Sequence, residues 1–150
     1  MGGTSGRLTV DALYARAAAR IDRLDPAVAL AEMEDGALLV DIRSDSDRDR
    51  DGIVPGSLHL PRTVLEWRLD PASGWRSPYA PDLDARIVLI CDHGYSSVLA
   101  AAALVDLGFG RAADVVGGFV AWRGAGLPVA EAGPTRRGPG ELAGMKPPDP

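Results

Sequence analysis

The run Ala85-Arg86-Ile87-Val88-Leu89-Ile90 leads directly into Cys91, a short loop, and then the alanine- and leucine-rich stretch Val98 to Leu107. The first run is β-branched, continuously apolar and too short for a helix. It therefore reads as a strand covered on both faces, as strands of parallel sheets are. The second run has high helix propensity and is stopped by Gly108. A central buried strand, a loop and a buried helix already require an α/β architecture.

The flanking segments continue the alternation. Thr9 is placed as an N-cap before the apolar-periodic positions Leu13, Ala17, Ile21 and Leu24, which predicts a helix ending near Asp25-Pro26. Pro26 opens a second helix through Met33, and Asp35-Gly36 turns the chain into the strand Ala37 to Ile42. The block Ser44 to Asp51 alternates Asp and Arg and reads as a solvated loop or an exposed helix. A turn-rich stretch leads to the short strand Leu58-His59-Leu60, closed by Pro61, in which His59 alternates with leucines and reads as a structural histidine. A short helix over Thr63 to Leu69, an aromatic-bearing loop over Asp70 to Pro81, a strand over Ala113 to Val116 and a short helix over Phe119 to Arg123 complete the pattern. The expected organisation is a flexible N-terminus over 1–8, one domain over 9–130, and a disordered Gly/Pro-rich tail over 131–150.

Charge and cysteine usage narrow the function classes. The 150 residues carry a formal net charge of −5, which lacks the basic field that nucleic acid or an anionic membrane surface requires. A single cysteine cannot form an internal disulfide, and no charged-then-apolar leader or long apolar span is present, so a soluble, cytoplasmic protein is expected. Two histidines and one cysteine are too few and too scattered for a His/Cys metal cluster, and neither glycine pair lies in a G-x-G-x-x-G context, so no metal, nucleotide or flavin cofactor is expected.

Cys91 is the candidate nucleophile. Ligands of parallel sheets bind beyond the carboxyl ends of strands, where this residue stands. Gly94 permits a bend that can turn backbone N–H groups from Asp92 to Ser97 inward as an anion-binding nest above a helix N-terminus. A thiolate held there has a lowered pKa. Against this, a lone cysteine beside an apolar strand is often only a small buried hydrophobe, and the Asp92 carboxylate disfavours a thiolate unless it points to solvent. His93 offsets Asp92 if protonated, Tyr95 walls the pocket or packs on its rim, and Ser96 or Ser97 reads as the cap of the following helix.

With these residues assembled, the chain resembles the rhodanese-like (sulfurtransferase) domain family, in its single-domain form, from about Pro26 to Val129. Val40-Asp41-Ile42-Arg43 looks like the family's first-strand motif. Gly52-Ile53-Val54-Pro55-Gly56-Ser57 is similar to its G-x-I-P-G-A segment with Val54 as an extra residue. Cys91 and Gly94 match the C-x-x-G loop, and Gly117-Gly118, Trp122, Gly126 and Pro128 resemble the closing G-G-x-x-x-W-x-x-x-G-x-P pattern. The resemblance implies a three-layer sandwich with a central, mostly parallel five-stranded sheet and helices on both faces.

It also implies a ping-pong sulfurtransferase. Cys91 takes sulfane sulfur from thiosulfate or a low-molecular-weight or protein persulfide, carries it as a persulfide held by the amides of Asp92, His93, Gly94, Tyr95, Ser96 and Ser97, and yields it to an acceptor. Without a second cysteine that acceptor is external: cyanide, glutathione, thioredoxin or another cysteine protein. Asp41 and Arg43 match positions that support the active-site loop. Many family members carry a basic residue where this chain has Ser96, and often another where it has Asp92. Arg62 and Arg68 are the candidates for the missing anion contact. Two other readings are open. Cysteine phosphatases of related fold end a longer loop in arginine, C-x5-R, but here that position is Ser97. A non-catalytic rhodanese-like binding or regulatory module would share the fold without turnover.

Overall fold

The computed structural model describes residues 6–132. Most of the expected flexible N-terminus and all but the start of the expected tail lie outside the described residues. Five parallel strands form one sheet in the order β1-β5-β4-β2-β3, with β1 Asp22–Leu24, β2 Leu38–Asp41, β3 Leu58–His59, β4 Ile87–Ile90 and β5 Ala113–Val115. The helices are α1 Val10–Ala18, α2 Pro26–Glu34, α3 Asp45–Asp51, α4 Leu65–Leu69, α5 Ser96–Asp106 and α6 Gly118–Gly124, with a 3-10 turn over Arg62–Val64 before α4.

Alternation along the strands builds two apolar layers. Ile87, Leu89 and Cys91 point with Val40 and Ile42 toward α4 and α5, where Leu65, Leu69, Ala100, Ala101 and Leu104 meet them. Val88 and Ile90 point the other way with Leu39, Ala113 and Val115, against Ala29 of α2 and Phe119 and Trp122 of α6. All four residues of β4 are buried, as its unbroken apolar run requires. A third, smaller cluster packs Ala17 of α1 on Val98 and Ala102 of α5.

Three expectations need correction. The N-terminal helix does not reach Leu24: α1 ends at Ala18, and Asp22–Leu24 forms an edge strand paired with β5. Ile21 and Leu24 fit the helical period, but pairing with β5 satisfies the backbone of Asp22–Leu24 better than one more turn without a cap. Thr9 does cap α1, its hydroxyl accepting from the Ala12 N–H. The charged block forms α3, capped by Ser44, yet Arg48 within it is fully buried and reaches Asp41 through Nε at 3.3 Å. Finally, neither Ser96 nor Ser97 caps α5: the capping position is Tyr95, with no side-chain bond, and Ser97 is buried for another purpose.

His59 is buried, its Nε2 donating to the Arg43 carbonyl at 2.7 Å, and burial pushes its pKa below the ordinary imidazole value. Trp122, from the closing motif, is fully buried and donates Nε1–H to the Pro128 carbonyl at 2.9 Å, while Ile53 and Ala130 exchange backbone bonds. These contacts tie residues 128–130 back onto the domain.

Candidate active site

Parallel pairing places Asp41 beside Ile90, so the carboxyl ends of β2 and β4 open at one edge of the sheet, and the chain leaves β4 there through Cys91. The loop is shaped by α6. The Phe119 and Val120 N–H groups donate to the Cys91 and Asp92 carbonyls at 2.8 and 3.1 Å. With those two carbonyls drawn toward α6, the turn can present N–H groups on its other side. Gly94, at φ +84°, makes the turn, and a β-carbon there would meet the Gly117 nitrogen at 2.7 Å. The Gly117-Gly118 pair therefore serves the cysteine loop by letting it lie against the start of α6.

Inside the turn, the Gly94 N–H donates to Cys91 Sγ at 3.1 Å, and Sγ lies 3.3 Å from Ser97 Oγ. Cys91 is 5% exposed. Burial pushes the thiol up, but the Ser97 and Ser96 hydroxyls and the Ser97 and Gly94 N–H groups together outweigh it, and the thiol lies below its ordinary value. Behind the sulfur, Ser97 Oγ donates to Asp114 Oδ2 at 2.7 Å. Asp114, fully buried on β5, is held by Arg23 of β1 through Nε to Oδ1 at 2.9 Å and Nη2 to Oδ2 at 3.2 Å. Arg23 also donates to the Gly94 carbonyl at 3.1 Å and to the Tyr14 hydroxyl at 2.7 Å. Its guanidinium is raised above its ordinary value, chiefly by the hydrogen bond to Asp114.

The other expected residues separate into near and far. Asp92 is half-buried, with Oδ2 3.5 Å from Nδ1 of His93, whose side chain is 63% exposed. Tyr95 and Ser96 are exposed on the rim. Asp41 and Arg43 are buried together: the carboxylate accepts from the Arg43 N–H, Nε and Nη2 at 3.0, 3.1 and 2.8 Å. Arg43 donates to the Gly52 carbonyl at 2.8 Å and stacks on the Phe119 ring at 3.8 Å. The pair thus reaches the cysteine loop through Phe119. Arg62 is bound to Glu66 at 2.9 and 3.1 Å, and Arg68 donates to the Trp75 carbonyl at 2.7 Å.

Sequence reasoning does not pick out Arg23 or Asp114. The available signal is an acid in the middle of an apolar strand, Ala113-Asp114-Val115, since a buried carboxylate requires a partner. Arg23 is not a candidate for that partner as long as its segment reads as helix.

A sheet that delivers one thiol past the end of its central strand, into a turn of amide and hydroxyl donors, defines a class of α/β domains built around a single cysteine. The family model for the rhodanese-like domain matches residues 25–125. The chain is 39% identical over 101 residues to a thiosulfate sulfurtransferase GlpE of Pseudomonas savastanoi, covering 67% of this chain and 86% of that protein. It is 36% identical over 100 residues to a sulfurtransferase of Allochromatium vinosum, covering 67% and 83%. A solved structure from Rhodopseudomonas palustris, described as a protein of unknown function and "Possible Tyrosine Phosphatase", superposes with a TM-score of 0.72 at 37% identity, covering 87% of this chain and 99% of that one. The chain belongs to the rhodanese-like domain family, and it is a sulfurtransferase. Among the described residues, no helix is long and apolar enough to cross a membrane.

Proposed function

We propose that this chain moves sulfane sulfur through a Cys91 persulfide. The donor is thiosulfate, the substrate in the name of its Pseudomonas relative, or a small or protein persulfide. The Cys91 thiolate attacks the donor's outer sulfur, forming a new S–S bond. The donor's own S–S bond breaks, and its electron pair leaves with sulfite or with a thiolate. An acceptor thiolate or cyanide then attacks the terminal sulfur, and the S–S electron pair returns to Cys91 Sγ. The loop amides around Gly94 hold the terminal anion of the persulfide. The acceptor is external, because the chain has one cysteine. Glutathione, thioredoxin or another cysteine protein fits that role.

The observation that carries this reading is the Gly94 N–H aimed at Sγ at 3.1 Å, in a turn whose carbonyls are drawn away by α6. Phosphoryl transfer is disfavoured at the same site. The position that an arginine would hold in a phosphatase loop is Ser97, which is buried and bonded to a carboxylate, and a phosphate dianion there would face Asp114 rather than a guanidinium clamp.

The test is intact mass after incubation with thiosulfate or glutathione persulfide. One added sulfur atom, removed by cyanide and absent in Cys91→Ser, is the expected result. No adduct from either donor would leave the fold as a binding or regulatory module.

A further inference from the structure

The Ser97 hydroxyl has two neighbours and one hydrogen. Its oxygen lies 2.7 Å from Asp114 Oδ2 and 3.3 Å from Cys91 Sγ. The shorter contact has the length of a charge-assisted O–H···O⁻ bond. While the hydrogen points at Asp114, the face of Oγ toward the sulfur is a lone pair. A thiol satisfies that face by donating S–H, whereas a thiolate would oppose one lone pair with another. The donation to sulfur that lowers the Cys91 thiol is available only once the hydroxyl turns away from the carboxylate. Asp114 can release it because Arg23 still grips both carboxylate oxygens.

We infer that Asp114, acting through Ser97 and held by Arg23, is a positioning residue that sets whether the Cys91 sulfur faces a hydrogen-bond acceptor or a donor, and so governs how much of it is thiolate. The sulfur-transfer reading gives this arrangement its use. While the hydroxyl serves Asp114 the sulfur faces an acceptor, which favours the thiol, and the attacking state is reached by one hydroxyl rotation with loss of the thiol proton to solvent. The other ionisable groups around the loop are Asp92, His93 and Tyr95 within it, Tyr14 against Arg23, and Asp41 and Arg43 at the end of β2. None of them is altered in the variants below.

Asp114→Asn supplies the test. With its carbonyl facing Arg23, the asparagine NH2 group takes the place of Oδ2 and donates to Ser97 Oγ. The hydroxyl hydrogen is then free to point at sulfur. The pH profile of iodoacetamide alkylation should move down. At pH values well below the wild-type midpoint, the rate should rise about tenfold for every pH unit by which the midpoint falls. Removing a nearby negative charge also favours a thiolate, so the same change is made in Ser97→Ala. Most of the acceleration should vanish in that background. Arg23→Gln should act in the opposite sense, slowing alkylation because the carboxylate then holds the hydroxyl more tightly, and it provides a reading if Asp114→Asn does not fold. Equal acceleration with and without the Ser97 hydroxyl, an unchanged profile in Asp114→Asn, or faster alkylation in Arg23→Gln would overturn the inference. Alkylation is independent of sulfur transfer. A wild-type chain that accepts no sulfur yet shows the Ser97-dependent change in profile refutes the proposed function alone, and one that accepts sulfur without that change refutes the inference alone.

Discussion

Gly118 lies against the backbone of the cysteine loop so closely that a β-carbon on it would meet the Cys91 carbonyl oxygen at 2.5 Å and that of Asp92 at 2.6 Å. Its φ of +62° also falls in the left-handed region. Gly118→Ala is therefore expected to destabilise the domain by about 1–3 kcal/mol from backbone strain and to displace the Cys91 and Asp92 peptides. The displacement should raise the pH midpoint of Cys91 alkylation as the Gly94 N–H loses its aim at sulfur. A variant with wild-type urea midpoint and alkylation profile would show that the close approach is not needed.

Much of this fold is legible in the sequence because the signals are local. Ile87–Ile90 and the alanine-rich α5 each state their burial by composition, and Thr9 and Pro26 mark helix starts by well-defined capping chemistry. What is not legible depends on partners distant in the chain. The strand Asp22–Leu24 is only three residues long, and its one apolar residue, Leu24, fits a helical period as well as a strand. It is a strand because β5 pairs with it. The Arg23–Asp114 contact spans 91 positions, and the Ser97–Asp114 contact spans 17. Arg48 is indistinguishable in sequence from its solvated neighbours, and only the turn of α3 aims it at Asp41.

Asp41 is the common counter-ion of two buried guanidiniums, with Arg43 Nη2 at 2.8 Å and Arg48 Nε at 3.3 Å. Burial pulls the Arg48 guanidinium below its ordinary value. Truncation at Asp41 leaves both cations without this carboxylate in a site that water does not reach. Asp41→Ala is expected to lose about 3–5 kcal/mol of stability. The loss should be read from urea unfolding at neutral pH. A loss under ~1 kcal/mol, the size of an exposed pair, would mean that the carboxylate is dispensable.

His59 gives the stability a pH dependence of known sign. Its folded pKa lies below the ordinary 6.5, so the unfolded chain binds a proton first as the pH falls. The contribution is complete above about pH 6.5 and declines as the pH drops through the window between the unfolded and folded values, with a slope of at most about 1.4 kcal/mol per pH unit. In His59→Gln the side-chain amide can still donate to the Arg43 carbonyl but cannot titrate. Unfolding free energies from about pH 7 to pH 5 should therefore be flatter for His59→Gln than for the wild type. Parallel curves would place the titration elsewhere.

Under the proposed function, the charge around Cys91 bears on which sulfur donor it would meet. The loop carries Asp92 and no arginine or lysine, and the whole chain has a net charge of −5. Of the nearby cations, Arg23 is occupied by Asp114 and Arg43 by Asp41, while Arg62 is bound to Glu66 and Arg68 to the Trp75 carbonyl. A thiosulfate dianion thus approaches a site with little to attract it, whereas an organic persulfide, with at most one negative charge on its sulfur, feels that field less. The wild-type kcat/KM should be higher for the organic persulfide. Ser96 is exposed on the rim, so Ser96→Arg can place a guanidinium beside the sulfur without entering the core. It should raise kcat/KM for thiosulfate about tenfold, equivalent to about 1.4 kcal/mol, with a smaller change for the persulfide donor. The gain should shrink in high salt, as expected of an exposed charge. A wild-type preference for thiosulfate, or an equal gain for both donors, would mean that groups other than the loop's missing cation decide the choice.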